Sequence, residues 1–264
     1  MGPPSGTEGS VRFVVACPAR SGSSLLMGGL RGHPDATVHG EPFGVDARLG
    51  LHGLDPETRS ALEVALERLR DRDPVRFLQD IVFEAGGRRA VGLKFKYEEL
   101  LLRRWEPVAR YLARDRGVLV VHLTRDNLLE RYLSEEVVRR VTGLHSAREA
   151  STRPAGIPIR LEPDSCRADF DRTLARQRQV ARLFAPHRVL DLTYEELLAD
   201  WGAVMARLQR FLDLDVRPLE QSLVKLRNLS LAESITNFDE LSDALAGTPY
   251  ARFLTPSAGS QADA

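Results

Sequence analysis

The residues best equipped for chemistry lie in VRFVVACPARSGSSLLMGGLRGHP, residues 11 to 34. Arg20 supplies a permanent positive charge on a planar set of donors. Ser21, Ser23 and Ser24 add hydroxyl donors, and Gly22 lets the backbone pass close to an anion. An apolar, β-branched run (Val11 to Ala16) precedes this turn and a helical pattern starts at Leu25. The first amides of such a helix lack internal acceptors, and the helix dipole adds positive potential, so the loop suits a phosphate-like group. It is not a Walker A loop, because no Lys follows Gly22 and no Gly precedes it at the required spacing. A Ser-capped turn with no ligand is the plainer alternative.

A second set of reactive residues is scattered along the chain. Glu41, in His39-Gly40-Glu41-Pro42-Phe43, is a carboxylate able to accept a proton, and Pro42 restricts it to extended geometry. His39 is the rival base, since imidazole titrates near neutrality. Only three of the 37 basic residues are Lys: Lys94, Lys96 and Lys225. Lys94 ends the run RAVGLKF and is the preferred extra cation. Strand alternation turns Lys96 to the same face. Arg125 follows GVLVVHL, with Ser134 two to three turns into the next helix, and Tyr194 follows RVLDL. His122, inside an apolar strand, reads as structural, and Glu130 with Arg131 as a solvated face. Cys17 reads as a small buried hydrophobe.

These residues need a frame, and the pattern supplies one. Strands are expected at about 11–16, 89–95, 117–123 and 188–192, with a brief one inside the segment 36–44. Helices are expected at about 23–32, 57–72, 75–84, 97–114 (broken or kinked at Pro107), 127–141, 165–184 and 194–212. Strand and helix alternate, which predicts an α/β fold: a P-loop-like three-layer sandwich, its central parallel sheet covered by helices on both faces. One domain is expected over 11–255, without a second hydrophobic core. A disordered lead at 1–10 and a tail at 256–264 flank it. The loops at 43–80 and 143–165 are expected to be variable and to line a substrate pocket, with Gly143 to Pro163 as a candidate substrate lid. Ligands of such sheets sit outside the carboxyl ends of the strands, where Arg20, Glu41, Lys94, Arg125 and Tyr194 all fall.

Arg20-Ser21-Gly22-Ser23-Ser24-Leu25-Leu26 resembles the phosphosulfate loop of the PAPS-dependent sulfotransferases, although Pro18 sits one residue early and Ala19 precedes the Arg. Arg125 and Ser134, nine residues apart, resemble the family's 3′-phosphate segment with the spacing of the bacterial carbohydrate branch, which includes nodulation-factor and trehalose enzymes. Thr193-Tyr194-Glu195-Glu196-Leu197 resembles the segment whose Tyr lies beside the adenine. Leu223 to Asn228, with Lys225 and Arg227, resembles the late basic segment that closes over the donor. The run from His33-Pro34-Asp35 to Gly40-Glu41 is similar to the tyrosylprotein branch, in which a Glu at this position is the base.

The resemblance implies a sulfuryl donor, 3′-phosphoadenylyl sulfate (PAPS), with adenosine 3′,5′-bisphosphate as product. With that donor, Arg20 and Lys94 are the expected catalytic cations by their chemistry, the resemblance makes Glu41 the base, and His39 is its rival or support. Ser21, Gly22, Ser23, Ser24, Leu25, Arg125, Ser134, Tyr194, Lys225 and Arg227 join Arg20 around the donor. The acceptor would be a hydroxyl of a glycan, glycolipid or small metabolite, and a homodimer fits the relatives. A P-loop-type nucleotide kinase and a non-catalytic nucleotide-binding protein are the alternatives.

Composition narrows the classes. Basic and acidic residues balance at 37 each, so there is no electrostatic case for nucleic acid or an anionic membrane. No apolar stretch approaches the ~18 residues of a membrane span. The opening MGPPSGTEGS lacks the features of a signal peptide. Two cysteines, Cys17 and Cys166, fit a reducing cytoplasm. No His/Cys pattern suggests a metal.

Overall fold

Five short apolar runs pair as one parallel sheet: β1 (Val11–Cys17), β2 (Ala36–His39), β3 (Ala90–Lys96), β4 (Leu119–Thr124) and β5 (Val189–Thr193). Their hydrogen-bonded order is β2-β3-β1-β4-β5. This computed structural model describes residues 9–44, 49–53, 56–142, 158–221 and 230–256. Lys225, Arg227 and most of the 143–165 loop lie outside the described residues.

β1 is central and is buried without interruption from Phe13 to Cys17, as a strand covered on both faces must be. The helices are α1 (Ser23–Leu30), α2 (Pro56–Arg72), α3 (Pro74–Phe77), α4 (Tyr97–Leu100), α5 (Glu106–Arg114), α6 (Leu128–Val137), α7 (Pro163–Phe184), α8 (Tyr194–Ala199), α9 (Trp201–Phe211), α10 (Leu231–Ser234) and α11 (Phe238–Leu245). Alternation along β1 sends Val14 and Ala16 to a layer with Phe77, Val108, Val180 and Phe184, from α3, α5 and α7. Phe13, Val15 and Cys17 face Leu26, Met27 and Leu30 of α1, and Val204, Met205 and Leu208 of α9. The three-layer architecture expected from the alternation is present.

Three local expectations need correction. The stretch 194–212 is two helices, because Asp200 leaves helical geometry (φ −149°, ψ 82°) and its carboxylate caps α9 at the Ala203 amide, 2.8 Å away. The stretch 97–114 breaks ahead of Pro107, through a 3₁₀ turn at Arg103–Trp105. Pro107 then sits in the first turn of α5, where its missing amide costs nothing. A further apolar cluster also exists beside the two sheet faces. Leu128, Leu133, Cys166, Phe170, Leu241 and Phe253 join α6 and α7 to the C-terminal helices.

Because every pairing is parallel, all five strands end on the same side. The loops after β1, β2, β3, β4 and β5 therefore meet there, and they carry the reactive residues.

Candidate active site

The turn after β1 is held open by backbone geometry. Arg20 (φ 65°) and Gly22 (φ 83°) both take left-handed conformations, the first rare for a residue with a side chain. Ser21 between them is fully buried, and its hydroxyl donates to the Pro18 carbonyl at 2.9 Å. Its single hydroxyl proton closes the turn rather than facing a ligand, which changes the role expected of Ser21. Gly22 precedes α1 and accepts the Leu25 and Leu26 amides (3.0 and 3.1 Å). Ser23 is buried, Ser24 is exposed, and Leu25 packs inward.

The segment after β4 closes on this turn. Arg20 Nε donates to Ser134 Oγ at 3.0 Å, and Arg125 Nη1 lies 3.4 Å from the Arg20 carbonyl. Arg125 lies over the Tyr194 ring, 4.4 Å from its centroid, and a Cβ at Gly22 would meet that ring at 2.3 Å. Four residues expected around the donor, from three strand ends, thus form one contact chain: Ser134, Arg20, Arg125 and Tyr194. The tie between strand ends is explicit, since the Glu195 carboxylate accepts the Asp126 and Asn127 amides (3.0 and 3.3 Å).

Glu130 and Arg131 are not a solvated face. Both are buried. Glu130 holds Arg125 Nη2 at 2.6 Å. Arg131 pairs with the buried Asp169 of α7 and donates to the Ala19 carbonyl at 3.3 Å, bracing the turn from behind. Buried charges need partners, and these have them. Arg125 Nε is buried and has no hydrogen-bond partner.

The second cluster stands where β2 and β3 end. The Lys94 amide donates to the Gly40 carbonyl at 2.9 Å, which sets Glu41 beside β3. Glu41 Oε1 then lies 2.5 Å from Lys94 Nζ, and Oε2 lies 3.0 Å from Lys96 Nζ. Lys96 also reaches Glu99 Oε1 at 2.9 Å. Burial pushes the Glu41 carboxyl up, but Lys94 and then Lys96 outweigh it and hold it at about 2. Gly50 backs the site: it has φ 59°, and a Cβ there would come within 2.7 Å of the Glu41 nitrogen. Register places Lys94 opposite Val15 and Lys96 opposite Cys17, so the cluster adjoins the start of the Arg20 turn. Burial raises the Cys17 thiol to about 11, even with Lys94 opposing, so it is an inert hydrophobe.

His39 has other work. Its Nδ1 accepts the His52 amide at 3.0 Å, and burial, then His52, lower it to about 4. A neutral imidazole whose lone pair is already engaged pins the 49–53 segment and is a poor proton acceptor. His122 is structural, as its setting implied: Nε2 lies 2.6 Å from the Tyr97 hydroxyl and Nδ1 2.8 Å from Asp191. Sequence reasoning missed Glu99, Glu130, Arg131 and Asp169. Glu99 carried one readable signal, an acid three residues into a helix start, where it accepts the Lys96 amide at 3.3 Å. Among the described residues no group of His, Cys, Asp and Glu could hold a metal ion, and no helix is long and apolar enough to cross a membrane.

No protein-family profile matches the chain. Nodulation protein H of Rhizobium tropici is 27% identical over 253 residues, covering 92% of each chain. The solved sulfotransferase domain from the curacin biosynthetic pathway covers 95% of this chain and 94% of its own, with TM-score 0.52 and 18% identity. A sulfotransferase from Alicyclobacillus acidocaldarius covers 94% of this chain and 95% of its own, with TM-score 0.49 and 19% identity. The curacin-pathway likeness shows the architecture, and the match to Nodulation protein H spans most of both chains. The chain is thus similar in sequence to Nodulation protein H and shares its fold with the curacin-pathway sulfotransferase domain.

Proposed function

We propose that this enzyme moves a sulfuryl group from PAPS to a hydroxyl of a glycan, glycolipid or small metabolite by in-line attack. The observation that carries the reading is the meeting of Arg20, Ser134, Arg125 and Tyr194 at the strand ends, on the same side of the sheet as a Lys94–Glu41 pair. Arg125, with its unpartnered Nε, takes the donor's 3′-phosphate, and Tyr194 lies beside the purine. The α1 amides and Arg20 take the 5′-phosphosulfate.

Breaking the S–O bond puts negative charge on the bridging oxygen. Cations held in place beforehand stabilise that charge without reorganising. Lys94 and Arg20 fill this role. Glu41, the most exposed member of its cluster, faces the acceptor as the base. As Lys94 turns toward the developing charge, Glu41 loses its closest cation and gains basicity. His39 supports the loop beside it.

A nucleotide kinase is disfavoured by the missing Walker lysine. Cytoplasmic residence is supported by two buried free thiols, Cys17 and Cys166. A homodimer and a single domain over 11–255 complete the proposal.

Calorimetry with adenosine 3′,5′-bisphosphate and with ATP, followed by a radiolabelled-PAPS screen of saccharide, glycolipid and phenolic acceptors, tests this. Preference for the bisphosphate with label transfer is expected. Preference for ATP, with no label transferred, would overturn it.

A further inference from the structure

The innermost group of the Glu41 cluster is Glu99, whose side chain is 1% exposed, against 25% for Glu41. No acceptor reaches it. The Lys96 ammonium lies between the two carboxylates, 3.0 Å from Glu41 Oε2 and 2.9 Å from Glu99 Oε1. A single cation bridging an outer and an inner carboxylate is a path for a proton. We propose that Glu99 is the proton store of this site, coupled to Glu41 through Lys96.

The electrostatics support that direction. Glu99 is raised to about 7, first by burial and then by the charge of Glu41, with Lys96 opposing, while Glu41 sits at about 2. The groups facing Glu99 are Lys96 at its own strand–helix junction and Glu41 from the loop after β2, with Lys94 beyond Glu41. From α7, Arg176 is engaged by the neighbouring Glu98 at 3.3 Å. Glu41 touches the acceptor but binds a proton weakly. Glu99 binds one well but touches nothing outside. Coupling gives the pair both properties.

The step balances. As the acceptor oxygen bonds to sulfur, its proton passes to Glu41. The S–O bond to the nucleotide breaks, and its electron pair leaves on the phosphate. Lys96 gives one proton to Glu99 Oε1 and takes one from Glu41 Oε2, so the ammonium persists, Glu41 is again ionised and Glu99 is neutral. Glu99 acts through Lys96 and is therefore a positioning residue rather than a catalytic one.

The inference rests on the sulfotransferase reading, so its test has one arm that needs no turnover. In full-length protein with adenosine 3′,5′-bisphosphate, carbon-13 carboxyl signals are followed from pH 5 to 9. A titration near 7 should vanish in Glu99→Gln, move down in Glu41→Gln and move up in Lys96→Met. A Glu99 signal indifferent to both of those variants overturns the coupling, whatever the activity. The second arm follows hydrolysis of radiolabelled PAPS, with water as acceptor. Glu99→Gln should lower kcat about tenfold and erase its acid limb near 7, with KM for PAPS unchanged. An unchanged kcat and limb overturns the proposal. Loss of bisphosphate binding and of sulfuryl transfer in the unaltered protein would instead sink the sulfotransferase reading, with the first arm still deciding the coupling.

Discussion

Arg125 shows how much one side chain can be asked to do. Its guanidinium bonds Glu130, approaches the Arg20 carbonyl and covers the Tyr194 ring. Removing it alone takes from the buried Glu130 its arginine partner, a change that costs about 3–5 kcal/mol where a buried pair is broken. The informative variant is Arg125→Ala with Glu130→Gln. We expect it to weaken adenosine 3′,5′-bisphosphate by about 1.5–3 kcal/mol, the worth of a charged hydrogen bond, and adenosine 5′-phosphate far less. Equal losses for both nucleotides, measured by calorimetry, would show that Arg125 does not read the 3′-phosphate. Ser134→Ala behaves differently, because Ser134 accepts from Arg20, so both nucleotides should weaken. At the reacting end, Lys94→Ala should lower kcat by about 10² with donor affinity within a few-fold. Glu41→Gln should lower it by about 10²–10⁴ while donor binding survives. A full-rate Lys94→Ala enzyme would pass the role to Lys96.

Among the elements, the contact that matters most joins the β1 turn to the start of α8. Gly22 has no Cβ, so the Tyr194 ring lies directly on its backbone. The ring is held there because Thr193 caps α8, its Oγ1 accepting the Glu196 amide at 3.0 Å, while Glu196 accepts the Thr193 amide at 2.8 Å. Gly22→Ala meets two penalties: a left-handed φ, of order 1 kcal/mol, and a collision with the ring. Only the second is relieved by shortening Tyr194. Gly22→Ala should therefore be milder in a Tyr194→Ala background, with a coupling of about 0.5–3 kcal/mol in urea unfolding. Strict additivity would mean that the two elements are not in contact in solution.

Over the whole molecule, two buried titratable groups give the stability curve opposite slopes. His39 is lowered from 6.5 to about 4, so between those values the unfolded chain binds a proton that the fold refuses. Stability then falls as pH drops from 6.5 toward 4, by up to about 3 kcal/mol. Glu99 is raised from 4.5 to about 7, so the fold keeps a proton that the unfolded chain releases. That stability is present below 4.5 and is lost as pH rises toward 7. Urea unfolding at stepped pH should show a flatter acid side in His39→Asn and a flatter approach to neutrality in Glu99→Gln. Slopes unchanged in both variants would show that neither group is held as described.

The sequence by itself determined the parallel sheet, the position of the turn after β1 and most of the polar residues at the strand ends. Those features are local or follow from chain direction: Phe13 to Cys17 is too apolar for any strand but a covered one, and parallel strands must end on one side. It also marked Lys94 and Lys96, since alternation turns both the same way. Tertiary structure alone decided the partners. Nothing along the chain shows that Glu130 and Arg131 are buried, because their charges are matched by Arg125 and by Asp169 on a distant helix. Helical periodicity ran on through Asp200 because the apolar stripe continues there, while the cap that breaks the helix is a side-chain bond which periodicity does not weigh. His39 looked like a base because imidazole titrates near neutrality, and burial against the His52 amide removed that option. Residue type and spacing fix which groups are available at the strand ends, but burial and pairing fix their charge, and both are properties of the folded chain.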